Sequence, residues 1–433
     1  MRTARWLCVL CLLPCALCLQ SASVQGAAVL PGVTGFGLDT RAGRGGKVIR
    51  VTNLDAAGPG SLRAALEADG PRIVVFEVGG VIDLDRRSLT VKEPFLTLAG
   101  QTAPSPGITI IRGALCIAAH DVLVQHIRVR PGDAGQAKRS GWEPDGISIS
   151  GRDGYNVVID HCSVSWAVDE NLSASGPRTA GPDATAHRVT LSHCIIAEGL
   201  NYSSHHKGRH SKGSLIHDCC QDIAVIGNLY AHNVDRNPYF KAHCTGAIVN
   251  NVIYNPGRNA IKLSYVPGEW RKASLKPRNA RVSVVGNVLI YGQDTRKGLA
   301  LVGPRGDAYL ADNVALDREG KPTALTRGKV AILREKPAWP QGLRARPSDT
   351  VLEYVLTHVG ARPSERDDVD ARIIRSVRDR KGRIIDSQDD VGGYPKAKMT
   401  RRKLVVPDGD IEAWLRRLAS ELEQGVKSVA PAP

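Results

Sequence analysis

The stretch YAHNVDRNPYFKAHC, residues 230–244, sets an arginine where the chain has little freedom. A strand-like run, DIAVIGNLYAHN, ends just before it, and Asp235, Arg236, Asn237 and Pro238 follow in a row. Proline fixes its own φ and pushes the residue before it out of the helical region, and Asn-Pro is a turn signal. Arg236 therefore stands on a constrained loop beside a strand end. Its guanidinium offers a planar fork of donors suited to carboxylates. An earlier segment, HHKGRHSKG, carries basic or imidazole side chains at six of nine positions, among them His205, Lys207 and His210. The pair of segments predicts a surface for an anionic ligand. The blander readings are an Arg236–Asp235 ion pair and an exposed basic loop.

Composition narrows the partner. The 433 residues suffice for one large core or two domains, and the net charge of +15 calls for something acidic. Arg2 and Arg5, the apolar WLCVLCLLPCALCL and the small-residue QSASVQGA read as a secretory signal over residues 1–26, with a retained anchor as the alternative. No other segment is apolar for long enough to span a membrane, so the mature chain is expected to be secreted, extracellular or periplasmic. An exported basic chain meets acidic polysaccharide rather than nucleic acid. Four of the ten cysteines lie in the leader, and the other six show neither a CxxC pair nor a zinc spacing. Cys162 and Cys194 occupy matching places in DHCSVSW and SHCIIAE. They read as small side chains stacked in a core, or as a disulfide between neighbouring turns.

The elements that position these groups are short. From about residue 47 to 317, β-rich runs alternate with Gly, Asn, Asp and Pro. Seven share a frame anchored at His126, His161, His193, Asn228, Asn251, Asn287 and Asn313, spaced 23 to 36 residues apart. Repeats of this period predict a solenoid with one stacked strand per coil and loops of free length on one side. The recurring Asn predicts an amide ladder at one corner. Hairpin signals are too sparse for a β-propeller. The fold class expected is all-β, a single-stranded parallel β-helix over residues 27–334. Residues 335–433 predict a helical extension instead: one helix capped by Ser348 and stopped at Gly360, a second from Ser364 to Gly382, and a third in DGDIEAWLRRLASELEQG, packed on the β-helix or capping its end.

Several stretches in order resemble the pectate lyase family, polysaccharide lyase family 1, notably its shorter bacterial members. They are LPGVTGFGLDTRAGRGGKVIRVTNLDAAGPGSLRAAL, VVFEVGGVIDL, LTLAGQTAP, VVIDHCSVSWAVDEN, IIAEGLNYSSHHKG, NLYAHNVDRNPYF and DDVDARIIRSVRDRKGRIIDSQDDVGGYP. The resemblance covers about residues 29–396 and implies a right-handed β-helix and an acidic polysaccharide substrate, polygalacturonate or a related uronan. It implies Arg236 as the proton-abstracting base, in a motif Arg-x-Pro-x-x-Arg whose last arginine is here Lys241. It further implies Lys207 as a contact to a substrate carboxylate; His205 and His210 of the same segment read as lesser sugar contacts or as structural histidines. Asp145, Asp169 and Glu170 correspond to ligands of Ca²⁺, a hard cation that prefers oxygen. The family's best-known members place two acids four apart in that strand, whereas here Asp169 is followed by Ser173 and Glu170 by Ala174. Loop-bonding acids are the alternative for this trio, and a substrate clamp for Arg236.

The expected function is thus a secreted, monomeric lyase using calcium-assisted β-elimination. A metal-free pectin lyase would need an aromatic cleft in a chain that is only 5% aromatic. A polygalacturonate hydrolase would need paired general acids in motifs that the chain does not contain. A non-catalytic uronan-binding β-helix, or a lyase for another uronan, are the remaining readings.

Overall fold

In the computed structural model, residues 29–30 and 33–424 are described; the leader over 1–26 and residues 425–433 lie outside them. Strands from Lys47–Val51 to Lys329–Ile332 wind into coils that form three ladders. The first sheet includes Arg72–Phe76, Leu96–Ala99, Val122–Gln125, Tyr155–Asp160, His187–Ser192, Gln221–Ile226, Thr245–Val249 and Arg281–Val285. The second includes Ile147–Ser150, Leu172–Ser175, Leu215–Ile216, Tyr239–Phe240 and Ile261–Leu263. The third includes Ile127–Arg130, Ser163–Ser165, Ile195–Ala197, Leu229–Ala231, Val252–Tyr254 and Val288–Ile290. Among the described residues every strand pairing is parallel except that of Thr400–Arg401 with Val78 and Gly79 and an isolated bridge from Leu316 to Pro322. The fold is a parallel β-helix.

Register explains its stability. Val74, Leu98, Val124, Ile159, Leu191, Val225, Ile248 and Val284 pair coil upon coil and are fully buried. Each contributes about 1.5–3 kcal/mol of apolar burial. A slip of one residue would turn the whole aliphatic row outward. Helix α1 (Leu62–Leu66) adds Leu62 and Leu66 to the same interior cluster beside the first coils.

The amide ladder runs through the four expected asparagines, and only the histidine coils lie one residue off that frame. The side chain of Asn228 donates to Asn251 at 3.0 Å, Asn251 to Asn287 at 2.9 Å and Asn287 to Asn313 at 3.1 Å. The next rungs are Cys194 and Cys162, since Ile195 pairs with Leu229 and Ser163 with Ile195. His126, His161 and His193 instead share the preceding corner with Gly227, Asn250, Gly286 and Asp312, all at φ between 46° and 68°. That left-handed corner, not the polar residue type, sets the frame. Cys162 and Cys194 are free, buried thiols on adjacent rungs.

The extension lies along the flank of the coils. Helices α2 (Ser348–His358) and α3 (Asp368–Arg378) cover the outer face of the third sheet, where Val355, Ile373 and Val377 meet Ile195, Leu229 and Val252. Helix α4 (Ile411–Glu423) lays Trp414 and Leu415 on Ile73 and Val75 of the first sheet. Two caps differ from expectation. Pro347 occupies the cap of α2, while Ser348 donates its hydroxyl to Asp312 at 2.7 Å. Asp367, not Ser364, caps α3, because its carboxylate also binds buried Arg130 at 2.6 Å.

Candidate active site

The residues just ahead of the second-sheet strands build one cleft. Glu170, Lys212 and Asp235 form successive isolated parallel bridges, so three distant segments become neighbours at one coil spacing. Asp145 precedes the adjoining strand Ile147–Ser150, and its carboxylate accepts the Glu170 N–H at 3.1 Å. Beneath them runs a second set of amides: Asn171 donates to Asn233 at 3.2 Å and Asn233 to Asn237 at 3.1 Å. These buried amides fix the backbone on either side of Glu170 and Arg236.

Arg236 sits in the left-handed region at φ 66°, and the Asp235 carboxylate accepts its N–H at 2.8 Å. Its guanidinium does not pair with Asp235. It turns into the cleft, forms an ion pair with Glu170, and lies 4.0 Å from Asp169. Burial pulls its pKa below the ordinary arginine value, against Asp169, Tyr239 and Asp145, which act to raise it. Asp235 is spent elsewhere, on Arg258 at 3.0 Å, Lys262 at 3.3 Å and Asn259 at 3.1 Å.

Carboxylate oxygens of Asp145, Asp169 and Glu170 all lie within 4.8 Å of one another. This is an all-oxygen donor set of the kind Ca²⁺ accepts, with Glu170 Oε1 taken up by the Arg236 ion pair. The crowding is visible in Asp145, whose pKa is pushed up to about 8 by burial and by Asp169, against the pull of Arg236. Asp169 behaves oppositely. Burial acts to raise it, but hydrogen-bonded His210, Arg236 and His205 hold it below the usual carboxylate range.

The basic loop divides differently from the sequence expectation. His210 Nε2 meets Asp169 at 2.6 Å, and His205 Nε2 meets Glu143 at 2.9 Å, with the two rings stacked at 3.8 Å. Both histidines are buried and committed to acids, so they brace the carboxylates instead of facing a sugar. Lys207 is exposed at the loop tip and makes no ion pair among the described residues. The lysine on the cleft floor is Lys212, five residues later, missed by sequence reasoning. It is buried 3.7 Å from Asp235, and burial pushes its pKa down to about 8 despite that carboxylate. The signal was available: Lys212 stands ahead of the strand at Leu215 much as Glu170 stands ahead of the strand at Leu172.

Lys241 is also elsewhere. Its ammonium is clasped by Asp218 at 2.7 Å and Glu269 at 2.6 Å, and Arg178 joins them 2.9 Å from Glu269. Asp218 is fully buried, so Lys241 serves a structural ion cluster. Lys241→Ala should lower the urea unfolding free energy by about 3–5 kcal/mol, the usual cost of stranding a buried charge. A midpoint within error of the parent's would contradict this.

No family model matches the chain. A probable pectate lyase C from Aspergillus terreus is 33% identical over 386 residues, covering 86% of this chain and 82% of that protein. Its namesake in Aspergillus flavus is 34% identical over 375 residues, covering 84% and 80%. Among solved structures, a pectate lyase bound to a hexasaccharide superposes with a TM-score of 0.53 at 14% identity over 78% of this chain and 99% of that one. The major allergen from cedar pollen gives 0.51 at 16% identity over 75% and 91%. At such identities the structures speak for the fold alone, and the relatives carry the kinship: the chain belongs to the pectate lyase family.

Proposed function

We propose that the chain is a secreted, monomeric pectate lyase that cleaves polygalacturonate by calcium-assisted β-elimination, with Arg236 as the base. The observation that carries this reading is the convergence of Arg236 with Asp145, Asp169 and Glu170 in one cleft. In the reaction a base takes the C5 proton beside the uronate carboxylate. The C–H electrons become the C4–C5 double bond, and the O4 substituent leaves and is protonated. Asp145, Asp169 and Glu170 would hold Ca²⁺, which when bound neutralises the uronate carboxylate and favours the enediolate. Arg236 must give up its pair with Glu170 to act, and burial already favours its neutral form. Lys212 faces the same floor and suits a second charge contact to the uronate. The reading keeps residues 1–26 as the leader, 27–334 as the catalytic β-helix and 335–433 as its extension.

The test is incubation with polygalacturonate at alkaline pH, with and without Ca²⁺, following ultraviolet absorbance of the unsaturated product. Calcium-dependent product is expected. Binding without product on every uronan tried would identify a non-catalytic binder, and product from another uronan alone would move the substrate. The two lysines separate in the same assay. Lys212→Met should raise KM at least about tenfold, as loss of a charge-assisted bond does. Lys207→Ala should change it less than about twofold, since exposed charges contribute little. Equal effects would return Lys207 to the cleft.

A further inference from the structure

Beside the catalytic floor lies a cavity of about 720 Å³ whose walls come from two parts of the chain. The coils supply Arg209, Arg258 and Arg296, from the turns that follow Ile195–Ala197, Val252–Tyr254 and Val288–Ile290. The C-terminal extension supplies Arg383. Two of the lining residues touch the cleft directly: His210 meets Asp169 at 2.6 Å, and Arg258 donates to Asp235 at 3.0 Å.

The acids and the cations of this cavity are used differently. Asp294 accepts the Ile384 N–H at 2.7 Å, and Asp386 accepts the Tyr202 N–H at 2.9 Å. Asp390 accepts the N–H groups of Asp386 and Ser387 at 2.9 and 3.2 Å. These carboxylates pin the extension's loop to the coils and leave the arginines alone. Arg296 and Arg383 are exposed and make no ion pair among the described residues. Arg327 joins them from the following coil, where burial pulls its pKa below the ordinary arginine value and Arg296 lowers it further. Asp235, the nearest cleft acid, is already shared by Lys212, Arg258 and Lys262. Cations crowded in this way, with no acid between them, favour an anionic occupant.

Their spacing says which kind. The Arg296 N–H donates to the Gly257 carbonyl at 3.1 Å, so Arg258 and Arg296 stand on neighbouring coils, about 4.8 Å apart. Positive charge thus recurs along the coil axis, as the row Glu170–Lys212–Asp235 does. A small anion offers one charge, whereas a polyuronate offers a carboxylate on every sugar, and a guanidinium can hold each one through two hydrogen bonds.

We infer that this cavity is an extended subsite for polyuronate, in which Arg296 and Arg383 take carboxylates beyond the sugar being cleaved. The C-terminal extension thereby takes part in selecting long chains. The inference rests on the lyase reading of the cleft.

Steady-state kinetics on polygalacturonate and on the shortest oligomer that the parent cleaves test it, with thermal melts to confirm the fold. The double variant Arg296→Ala/Arg383→Ala should raise KM on the polymer about fivefold to tenfold, as loss of two exposed charge contacts does, with kcat within about twofold. On the short oligomer KM should move less than about twofold. Lys297→Ala, exposed beside Arg296 but outside the cavity lining, should leave both constants unchanged. A polymer KM equal to the parent's, or an equal rise on the short oligomer, would overturn the subsite. So would an equal rise in Lys297→Ala, which would mark diffuse attraction to a basic surface. A parent without turnover would overturn the lyase reading instead, and calorimetric titration with polygalacturonate would then decide the cavity. Affinity weakened in the double variant upholds it; unchanged affinity, or no binding by the parent, overturns it.

Discussion

Arg236→Lys is expected to lower kcat on polygalacturonate by about 10²–10⁴, the usual worth of a positioned general base, with a much smaller change in KM. Lysine keeps the positive charge, so the electrostatic attraction of a uronate to the cleft survives. What it loses is reach and shape. The guanidinium arrives at Glu170 from a backbone fixed in the left-handed region and held by Asp235 and the Asn171–Asn233–Asn237 amides. A shorter ammonium on that same backbone cannot occupy the same point, and a misplacement of about 1 Å costs about 100-fold. The fold should persist, since the aliphatic ladder and the amide ladder do not involve this side chain. Glu170 keeps a cationic neighbour in the variant. The check is steady-state kinetics beside a thermal melt and a binding titration with polygalacturonate. A Lys variant with parental kcat would remove Arg236 from the role of base. A variant that lost binding with kcat intact would make it a clamp.

The parts of this site legible in the sequence are those that announce themselves locally. Arg236 precedes Asn-Pro and was readable from its own few residues, whereas Asp145, Asp169 and Glu170 were legible only through the family resemblance, because their own spacing lacks that family's two acids four apart. Lys212 was not. Composition marks the whole of HHKGRHSKG as basic, and only the register Glu170–Lys212–Asp235 tells the buried lysine from the exposed one. Lys241 fails for the same kind of reason: Asp218 and Glu269 that claim it come from other coils. The coil period was readable because buried aliphatic residues recur, yet the ladder frame slipped by one at the histidine coils. Histidine and asparagine are both polar corner residues, and the left-handed φ that separates corner from rung leaves no mark where the corner is not glycine.

Asp145 offers the other large effect, and its two halves run in opposite directions. Its carboxyl titrates near 8 in the folded protein, against about 3.9 in an unfolded chain. Between those values the native state holds the extra proton. In calcium-free protein its contribution is therefore fully present below about pH 4 and is lost as pH rises toward 8. Asp145→Asn removes that ionisation, so in chelator the variant should be the more stable protein at pH 8. The gain should be on the order of 1–3 kcal/mol, discounted from the full shift because the side chain is only half-buried. With Ca²⁺ present the ranking should reverse. In the proposed calcium site the variant would offer two charged ligands instead of three, and calcium should stabilise it less and support at least about 100-fold less turnover. Melting curves in chelator and in calcium from about pH 5 to about pH 9 read both halves. Parallel curves for the two proteins in chelator would mean that the raised carboxyl is not Asp145. Undiminished calcium activation would mean that Asp145 is not a ligand. A carboxylate whose loss strengthens the empty fold and weakens the loaded one is there for its ligand, and the instability it brings is what a site held ready for a cation has to carry.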